Sequence, residues 1–559
     1  MWSAVGRLPL PSFPQTQIGS IRCRSSWCLA HGSCSSRHKI NYIQQRPRGH
    51  IIVRCFSQRL SVMDVERRDA EIKKYWDRLH LSPEALKQLA NAFQDELEAG
   101  LEQKSSLLMI PTMVDMLPQG HECGDYYAID LGGTNLRVLY TRLGKGPKEV
   151  EAEAINSAPI PPEMQSCPVE ELMDYVAGHL IDWSEQHHCS IREREVPIIG
   201  FCFSFPVEQT AVDAGTLLRW TKGYTNPGAV GKDPAKLLHE AFKRRGVNVH
   251  IGALLNDTVG TLAAARYVDG QDTIAAMIMG TGTNACYMEL LGRITKWLPH
   301  YRPRTSDMVV NIEWPGFQAA ELPILEEDRH LDEESNNPGQ QRFEKLTAGL
   351  YMGDIARRII LRAAEERELF DGRVPEGLRT METFPTKFVG IAAQDDTPDL
   401  SRTAGVLHRA FGFDPDSISP QDRKEVKEIC AMVTVRSARL VAAAVCGIMR
   451  HLGRDVGDPA GGAPPRTCIA VDGGIFVRYG FYRELLKQGV RDILGDAVAD
   501  QFELRVVAGG SAFGAACVAA ASHSYMRGVG QDEGRPSPPP RRFPPRRPSA
   551  VSLQDLAGQ

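Results

Sequence analysis

A short apolar strand, a glycine-rich turn and a second strand occur twice in this chain, and that repeat restricts the fold more than any other feature. Residues 126–130 lead into Asp130-Leu131-Gly132-Gly133-Thr134-Asn135 and out along 136–141. Residues 274–279 lead into Gly280-Thr281-Gly282-Thr283-Asn284 and out along 285–289. Further strand and helix signals follow each copy, so the pattern predicts a duplicated α/β unit with a cleft between the copies. At 559 residues the chain is long for a single hydrophobic core, which also favours two lobes.

The rest of the chain fills in around that repeat. Ile72, Tyr75, Trp76 and Leu79 follow helical spacing, and Ser82-Pro83-Glu84 restarts a helix with Ser as its cap and Pro at its first position. Leu86, Leu89, Phe93, Leu97 and Leu101 line the apolar face of that second helix. Residues 249–255 read as a strand and 259–267 as a helix, with Asn256-Asp257-Thr258 at the junction. Helical patterns cover 343–361 and 424–452, and linkers are expected at 395–399 and 455–465, which are rich in Gly, Pro or Asp. A strand over 467–471 runs into Asp472-Gly473-Gly474. Another, over 502–507, runs into Ala508-Gly509-Gly510-Ser511 before a helix over 512–522.

The two ends are a different material. No Asp or Glu precedes Asp64, whereas nine basic residues do, eight of them Arg, among abundant Ser. That is the composition of an organelle presequence. Ile51-Ile52-Val53-Arg54-Cys55 resembles a plastid processing site, so residues 1–55 are expected to be a disordered chloroplast transit peptide. A mitochondrial address is the second reading, and a start near Met63 would leave the chain in the cytosol. Pro and Arg dominate 527–559, which predicts a disordered tail. A net charge of −4 offers no field for nucleic acid, and no apolar run is expected to span a bilayer. The thirteen Cys include no Cys-x-x-Cys pair, so neither a zinc site nor a dithiol pair is indicated. His187-His188-Cys189 reads as an exposed helix end.

Chemistry concentrates at the turns and strand ends. Glycines there let backbone N–H groups approach phosphate oxygens that a Cβ would obstruct, and Thr134, Thr281 and Thr283 add hydroxyls. A bare Gly-Gly hairpin would account for the first turn alone; the second turn makes coincidence harder. Asp130, at a strand end, is placed to orient a hydrated Mg²⁺ through water, and no direct metal ligand is expected. Asp257 is a carboxylate able to take a hydroxyl proton, and Lys222, in Trp220-Thr221-Lys222-Gly223, a cation able to offset phosphoryl charge. Ser204, Thr221, Lys222, Asn256, Asp257, Asn284, Glu313 and Glu344 form a set of short polar and acidic groups suited to a polyhydroxylated ligand.

At these residues the chain resembles eukaryotic hexokinases, and among them the plant and green-algal ones. Ile199-Gly200-Phe201-Cys202-Phe203-Ser204-Phe205-Pro206 through Trp220-Thr221-Lys222-Gly223-Tyr224 is similar to the family's sugar-binding signature, which usually has Thr at Cys202 and Phe at Tyr224. Asp130 through Asn135 and Gly280 through Asn284 match its two phosphate motifs, and Asp472-Gly473-Gly474 and Gly510-Ser511 its nucleotide-side motifs. The likeness runs from about Asp64 to Ser524, in the expected order.

The resemblance implies an actin-like ATPase fold of duplicated ribonuclease H-like units, two α/β lobes closing over a hexose. It places N-terminal helices over 64–123, a small lobe over 124–255, a large lobe over 256–508 and a helix over 509–526 returning to the small lobe. It implies ATP-dependent phosphorylation of glucose, with fructose and mannose also accepted, at the 6-hydroxyl, the first step of glycolysis. Asp257 would be the base and Lys222 the stabilising cation. Ser204, Phe205, Pro206, Thr221, Asn256, Asn284, Glu313 and Glu344 would hold the sugar, with Gln341 a weaker candidate. Asp130, Gly132, Gly133, Thr134, Asn135, Thr281, Gly282, Asp472, Gly473, Gly510 and Ser511 would hold Mg·ATP, a co-substrate; no prosthetic group is implied, and a monomer is expected. Gly509 stands where the family commonly has an acidic or polar residue, and Ala512 where it has a second Gly, which predicts an altered Michaelis constant for ATP. A catalytically weak glucose sensor or scaffold is the alternative. A general actin- or chaperone-like ATPase leaves the Ser-Phe-Pro and Trp-Thr-Lys-Gly stretches unexplained.

Overall fold

Among the described residues thirteen strands, in chain order, divide between two large sheets and one hairpin. They are β1 (Ile110–Pro111), β2 (Gly124–Leu131), β3 (Asn135–Leu143), β4 (Val150–Pro159), β5 (Ile198–Phe203), β6 (Val207–Ala211), β7 (Ala214–Leu217), β8 (His250–Leu255), β9 (Thr273–Met279), β10 (Thr283–Leu290), β11 (Asp307–Asn311), β12 (Thr467–Asp472) and β13 (Phe502–Val506). This computed structural model describes residues 70–528 apart from 103, 147, 271, 297–302, 367–368 and 457–462. The expected presequence over 1–55 and almost all of the Pro/Arg-rich tail, with much of the expected 455–465 linker, lie outside the described residues.

The duplication is explicit in the strand orders. One sheet runs β4-β3-β2-β5-β8, the other β1-β11-β10-β9-β12-β13, and β6 pairs with β7. In the first, β2, β3 and β4 are antiparallel, whereas β5 and β8 join in parallel. In the second, β9, β10 and β11 are antiparallel and β12 and β13 join in parallel, with β1 added beside β11. Each central strand, β2 or β9, therefore ends in one of the glycine-rich turns. Position in the sheet follows sequence pattern: β4, an edge, alternates between half-buried and exposed, whereas Thr-Cys-Ile-Ala-Val-Asp of β12 is buried throughout.

Three apolar cores result among the described residues. Between the sheets lie the helices Asp257–Asp269 and Gly510–Gly528, whose Val259, Leu262, Ala512, Ala516 and Ala519 pack with Ala128 and Ala253 of one sheet and Ala276 and Ala470 of the other. Alanine on both helices lets the backbones approach closely. The outer face of the five-stranded sheet is covered by Val169–Gln186 and Pro234–Arg244. A larger core joins the six-stranded sheet to the helices Ala70–Leu79, Pro83–Leu101 and Pro420–His451. Ser82 caps the second of these as expected, accepting the Ala85 N–H at 3.2 Å.

Some expectations change. Pro420–His451 is long and apolar enough, by length and composition, to cross a membrane, contrary to the sequence reading, and its apolar window lies wholly inside the protein. It is the central strut of the largest core. The expected helix over 343–361 is two, Arg342–Thr347 and Met352–Glu365, because 349–350 pair with the second turn. Residues 395–399 are no slack linker: buried Asp395 accepts the N–H (2.7 Å) and hydroxyl (2.8 Å) of Thr403 and the Thr397 hydroxyl (2.5 Å). Asp signals an anchored turn as readily as a loop. His187 ends its helix as expected, but Cys189 beside it is buried.

Candidate active site

The junction of β8 with the next helix carries the central groups. Asn256 is extended (φ −90°, ψ 174°) and caps the helix, its Oδ1 accepting the Val259 N–H at 3.0 Å and the Thr258 hydroxyl at 2.9 Å. Its Nδ2 is buried and has no partner among the described residues. Asp257 follows at the first helical position, where Oδ1 accepts the Thr258 N–H at 2.9 Å and Oδ2 lies 3.7 Å from Lys222 Nζ. That separation exceeds a charge-assisted hydrogen bond, so a ligand oxygen has room to engage either group.

Lys222 is set by its own strained backbone, with φ +57°. Its ammonium stands 5.8 Å from the Phe205 ring centroid, and Phe205 packs edge-on to Trp220 at 4.8 Å and Tyr224 at 4.9 Å. Ser204 and Pro206 are buried beside it, and Thr221 is half-buried, its carbonyl accepting the Tyr224 N–H at 3.1 Å. The Ser-Phe-Pro and Trp-Thr-Lys-Gly stretches thus form one aromatic-backed wall.

The opposing wall comes from β10, β11 and the helix Arg342–Thr347. Asn284 Nδ2 donates to Glu313 Oε1 at 2.9 Å and to Asn311 Oδ1 at 3.0 Å, while Asn311 Nδ2 donates to the same carboxylate at 2.8 Å. Glu313 holds a left-handed conformation (φ 56°, ψ 48°). Burial raises its carboxyl above the usual range, opposed by Asn311 and by the Lys222 charge. Glu344 is pushed up to about 7 by burial, opposed by the Thr283 N–H, which donates to its Oε2 at 2.9 Å. Both acids sense Lys222 and Asp257, so the two walls face one another. Phe205, Asn256 and Asn311 line one small cavity with Thr112 and Gln209. Gln341 stands apart: its Oε1 accepts Asn337 Nδ2 at 2.6 Å, and no contact joins it to the other polar groups among the described residues.

The two glycine-rich turns lie at the ends of β2 and β9. In the first, the Gly132 carbonyl accepts the Tyr224 hydroxyl at 3.2 Å and the Gly133 carbonyl accepts Gln165 Nε2 at 3.0 Å. Asn135 Nδ2 donates to the Thr134 hydroxyl at 2.9 Å. In the second, the Gly280 and Thr281 carbonyls accept the N–H groups of Gly349 at 2.9 Å and Leu350 at 3.0 Å. A trans peptide points its carbonyl and its N–H in opposite directions. Anchoring these carbonyls therefore turns the N–H groups of Gly133, Thr134, Thr281 and Gly282 the other way, and none of the four has a partner among the described residues. Such free, co-oriented donors suit phosphate oxygens.

Behind the turns, buried Asp130 accepts Arg137 Nη1 at 2.9 Å and the Ser511 hydroxyl at 2.6 Å through one oxygen, Oδ2. Asp472, raised by burial, accepts the Gly473 N–H at 2.6 Å and the Gly509 N–H at 3.1 Å. Gly473 (φ +112°) is obligatory, since a Cβ would stand 2.3 Å from the Met279 carbonyl oxygen. Gly509 has φ +70°, so the residue type that departs from the resemblance is the one this turn favours. Ala512 is fully buried between the sheets. Gly510 donates its N–H to the Val507 carbonyl at 3.0 Å. Arg137, Asn311 and Gln165 escaped that reading; the one available signal was an Arg inside the otherwise apolar start of β3.

Comparison with known proteins agrees with this geometry. Two family models, each described as Hexokinase, match residues 71–267 and 274–521. Hexokinase-2 of Oryza sativa subsp. japonica is 40% identical over 466 residues, 82% of this chain and 92% of the relative. Hexokinase-1 of Spinacia oleracea is 41% identical over 448 residues, 79% of this chain and 88% of the relative. Among solved structures, a hexokinase from Schistosoma mansoni complexed with glucose is 30% identical with a TM-score of 0.71, covering 80% of this chain and 98% of that one.

Proposed function

The chain belongs to the hexokinase family, enzymes of sugar phosphorylation, and from that premise we propose that it transfers the terminal phosphoryl group of Mg·ATP to the 6-hydroxyl of glucose. Fructose and mannose, which share the relevant hydroxyls, are further substrates. The observation that carries this reading is the unpartnered, buried Asn256 Nδ2 beside an Asp257–Lys222 pair held too far apart to satisfy each other. A buried donor without a partner is costly, and a ligand hydroxyl there would satisfy it.

Ser204, Thr221, Asn256, Asn284, Glu313 and Glu344 would then grip the sugar, with Phe205 and Pro206 backing it. Asp257 Oδ2 takes the proton of the 6-hydroxyl as its oxygen forms the new P–O bond, and the bond to the leaving ADP breaks. Lys222 offsets the charge on the moving phosphoryl group. The free N–H groups of the two turns, with the Thr134 and Thr281 hydroxyls, would hold the phosphates. Asp130, whose Oδ2 is already committed to Arg137 and Ser511, would orient a water of the magnesium ion that ATP brings. Lobe closure would exclude water and limit ATP hydrolysis. The retained Asp257–Lys222 pair favours this over the sensor reading.

The test is to incubate the chain from Phe56 with Mg·ATP and glucose and identify the product. Glucose 6-phosphate with stoichiometric ADP supports the proposal; glucose-protected folding without product would sink it in favour of a sensor. Composition supports plastid import, and uptake by isolated chloroplasts with processing after Cys55 is the corresponding check.

A further inference from the structure

The first turn is fastened differently from the second, and the fastening involves a hydroxyl that the resemblance does not call for. Tyr224 is 3% exposed, its ring stacked on Trp220 with centroids 5.4 Å apart and set edge-on to Phe205. The ring is thereby fixed, and its hydroxyl reaches the Gly132 carbonyl at 3.2 Å. Gln165 is anchored to the same loop, its carbonyl accepting the Thr225 N–H at 2.8 Å, while its Nε2 reaches the next carbonyl, that of Gly133. Two consecutive peptides of the turn are therefore oriented by two side chains, Tyr224 from the loop and Gln165 from the short turn Pro162–Gln165 that is tied to it. That loop also carries Lys222, whose stem lies so close to Gly133 that a Cβ there would be 3.1 Å from its Cδ.

We propose that Tyr224 and Gln165 act as a clamp that positions the first phosphate turn, fixing the spacing between the outward N–H groups of Gly133 and Thr134 and the ammonium of Lys222. The clamp rests on the phosphotransfer reading above and names a regulator of nucleotide affinity within that site. Neither residue touches the reacting atoms; each acts through a carbonyl whose orientation fixes the N–H on its far side. Burial raises the Tyr224 phenol, so it stays a donor throughout the working range.

Tyr224→Phe keeps the packed ring and removes only the hydroxyl. The KM for ATP should rise about threefold to tenfold, the weight of one neutral hydrogen bond, while the KM for glucose stays within about twofold. Gln165→Ala should do the same, and Gln165→Asn, which restores the amide one methylene short, should not rescue. An unchanged KM for ATP in Tyr224→Phe would overturn the clamp, as would a parallel rise in both KM values, which is the mark of general loosening. Calorimetric affinity for Mg·ATP in glucose-saturated protein decides the matter even if turnover is absent, an outcome that would sink the phosphotransfer reading by itself. Unaltered nucleotide affinity in both variants would then count against the clamp.

Discussion

The two glycine-rich turns are built on equivalent central strands yet are held by different kinds of group. Side chains of Tyr224 and Gln165 orient the carbonyls of the first, whereas backbone N–H groups of Gly349 and Leu350 orient those of the second. A backbone tie survives almost any substitution, whereas a side-chain tie can be altered by a single change. The second turn is also joined to the wall of Asn284, Glu313 and Glu344, since Thr283 donates to Glu344. The first is joined instead to the loop that carries Lys222. In the proposed reaction one turn is thus coupled to the hexose side and the other to the reacting side.

Breaking the second turn requires removing a backbone donor. Leu350→Pro deletes the N–H that holds the Thr281 carbonyl, and kcat/KM for ATP should fall on the order of a hundredfold, the loss expected when proline removes a donor and adds a clash. Steady-state kinetics, with circular dichroism confirming the fold, checks this. A smaller effect should appear with pH. In the proposed role Glu344 accepts hexose hydroxyls best as a carboxylate, and burial holds it up to about 7. Its protonated form therefore predominates below that pH, and the KM for glucose should rise about fivefold between about pH 7 and about pH 6. In hexose-free protein the same raised carboxyl stabilises the fold below its unfolded value, and that contribution is lost as pH rises through about 7. The thermal shift induced by glucose should accordingly grow from about pH 6 to about pH 8. Smallest is Gly509→Ala, which forces an alanine into φ +70° and should lower stability by about 1–2 kcal/mol in a denaturant titration.

What the sequence revealed, and what it concealed, follows the same division. Both turns were legible because glycines between apolar strands announce themselves, and Asn256 because a cap sits at a strand–helix junction. The anchors were hidden. Tyr224 differs from the resembling pattern by one oxygen, and its reach to Gly132 depends on ring packing that no local pattern encodes. Arg137 and Asn311 are single polar residues on strands, and only the register of β3 with β2 and of β11 with β10 brings them to Asp130 and Asn284. Asp395 was misread for the opposite reason: its local signal was clear but shared by linkers and anchored turns. Pro420–His451 shows that burial depends on what surrounds a helix, which composition alone does not state.

The most direct measurement compares the chain from Phe56 with its Asp257→Ala variant, following both turnover and glucose-induced thermal stabilisation. Removal of the base should cut kcat by about 10²–10⁴-fold while a clear glucose-induced shift remains, because Asn256, Asn284, Glu313 and Glu344 still hold the sugar. A variant that keeps wild-type kcat would contradict the assignment of Asp257 and with it the account of the cleft.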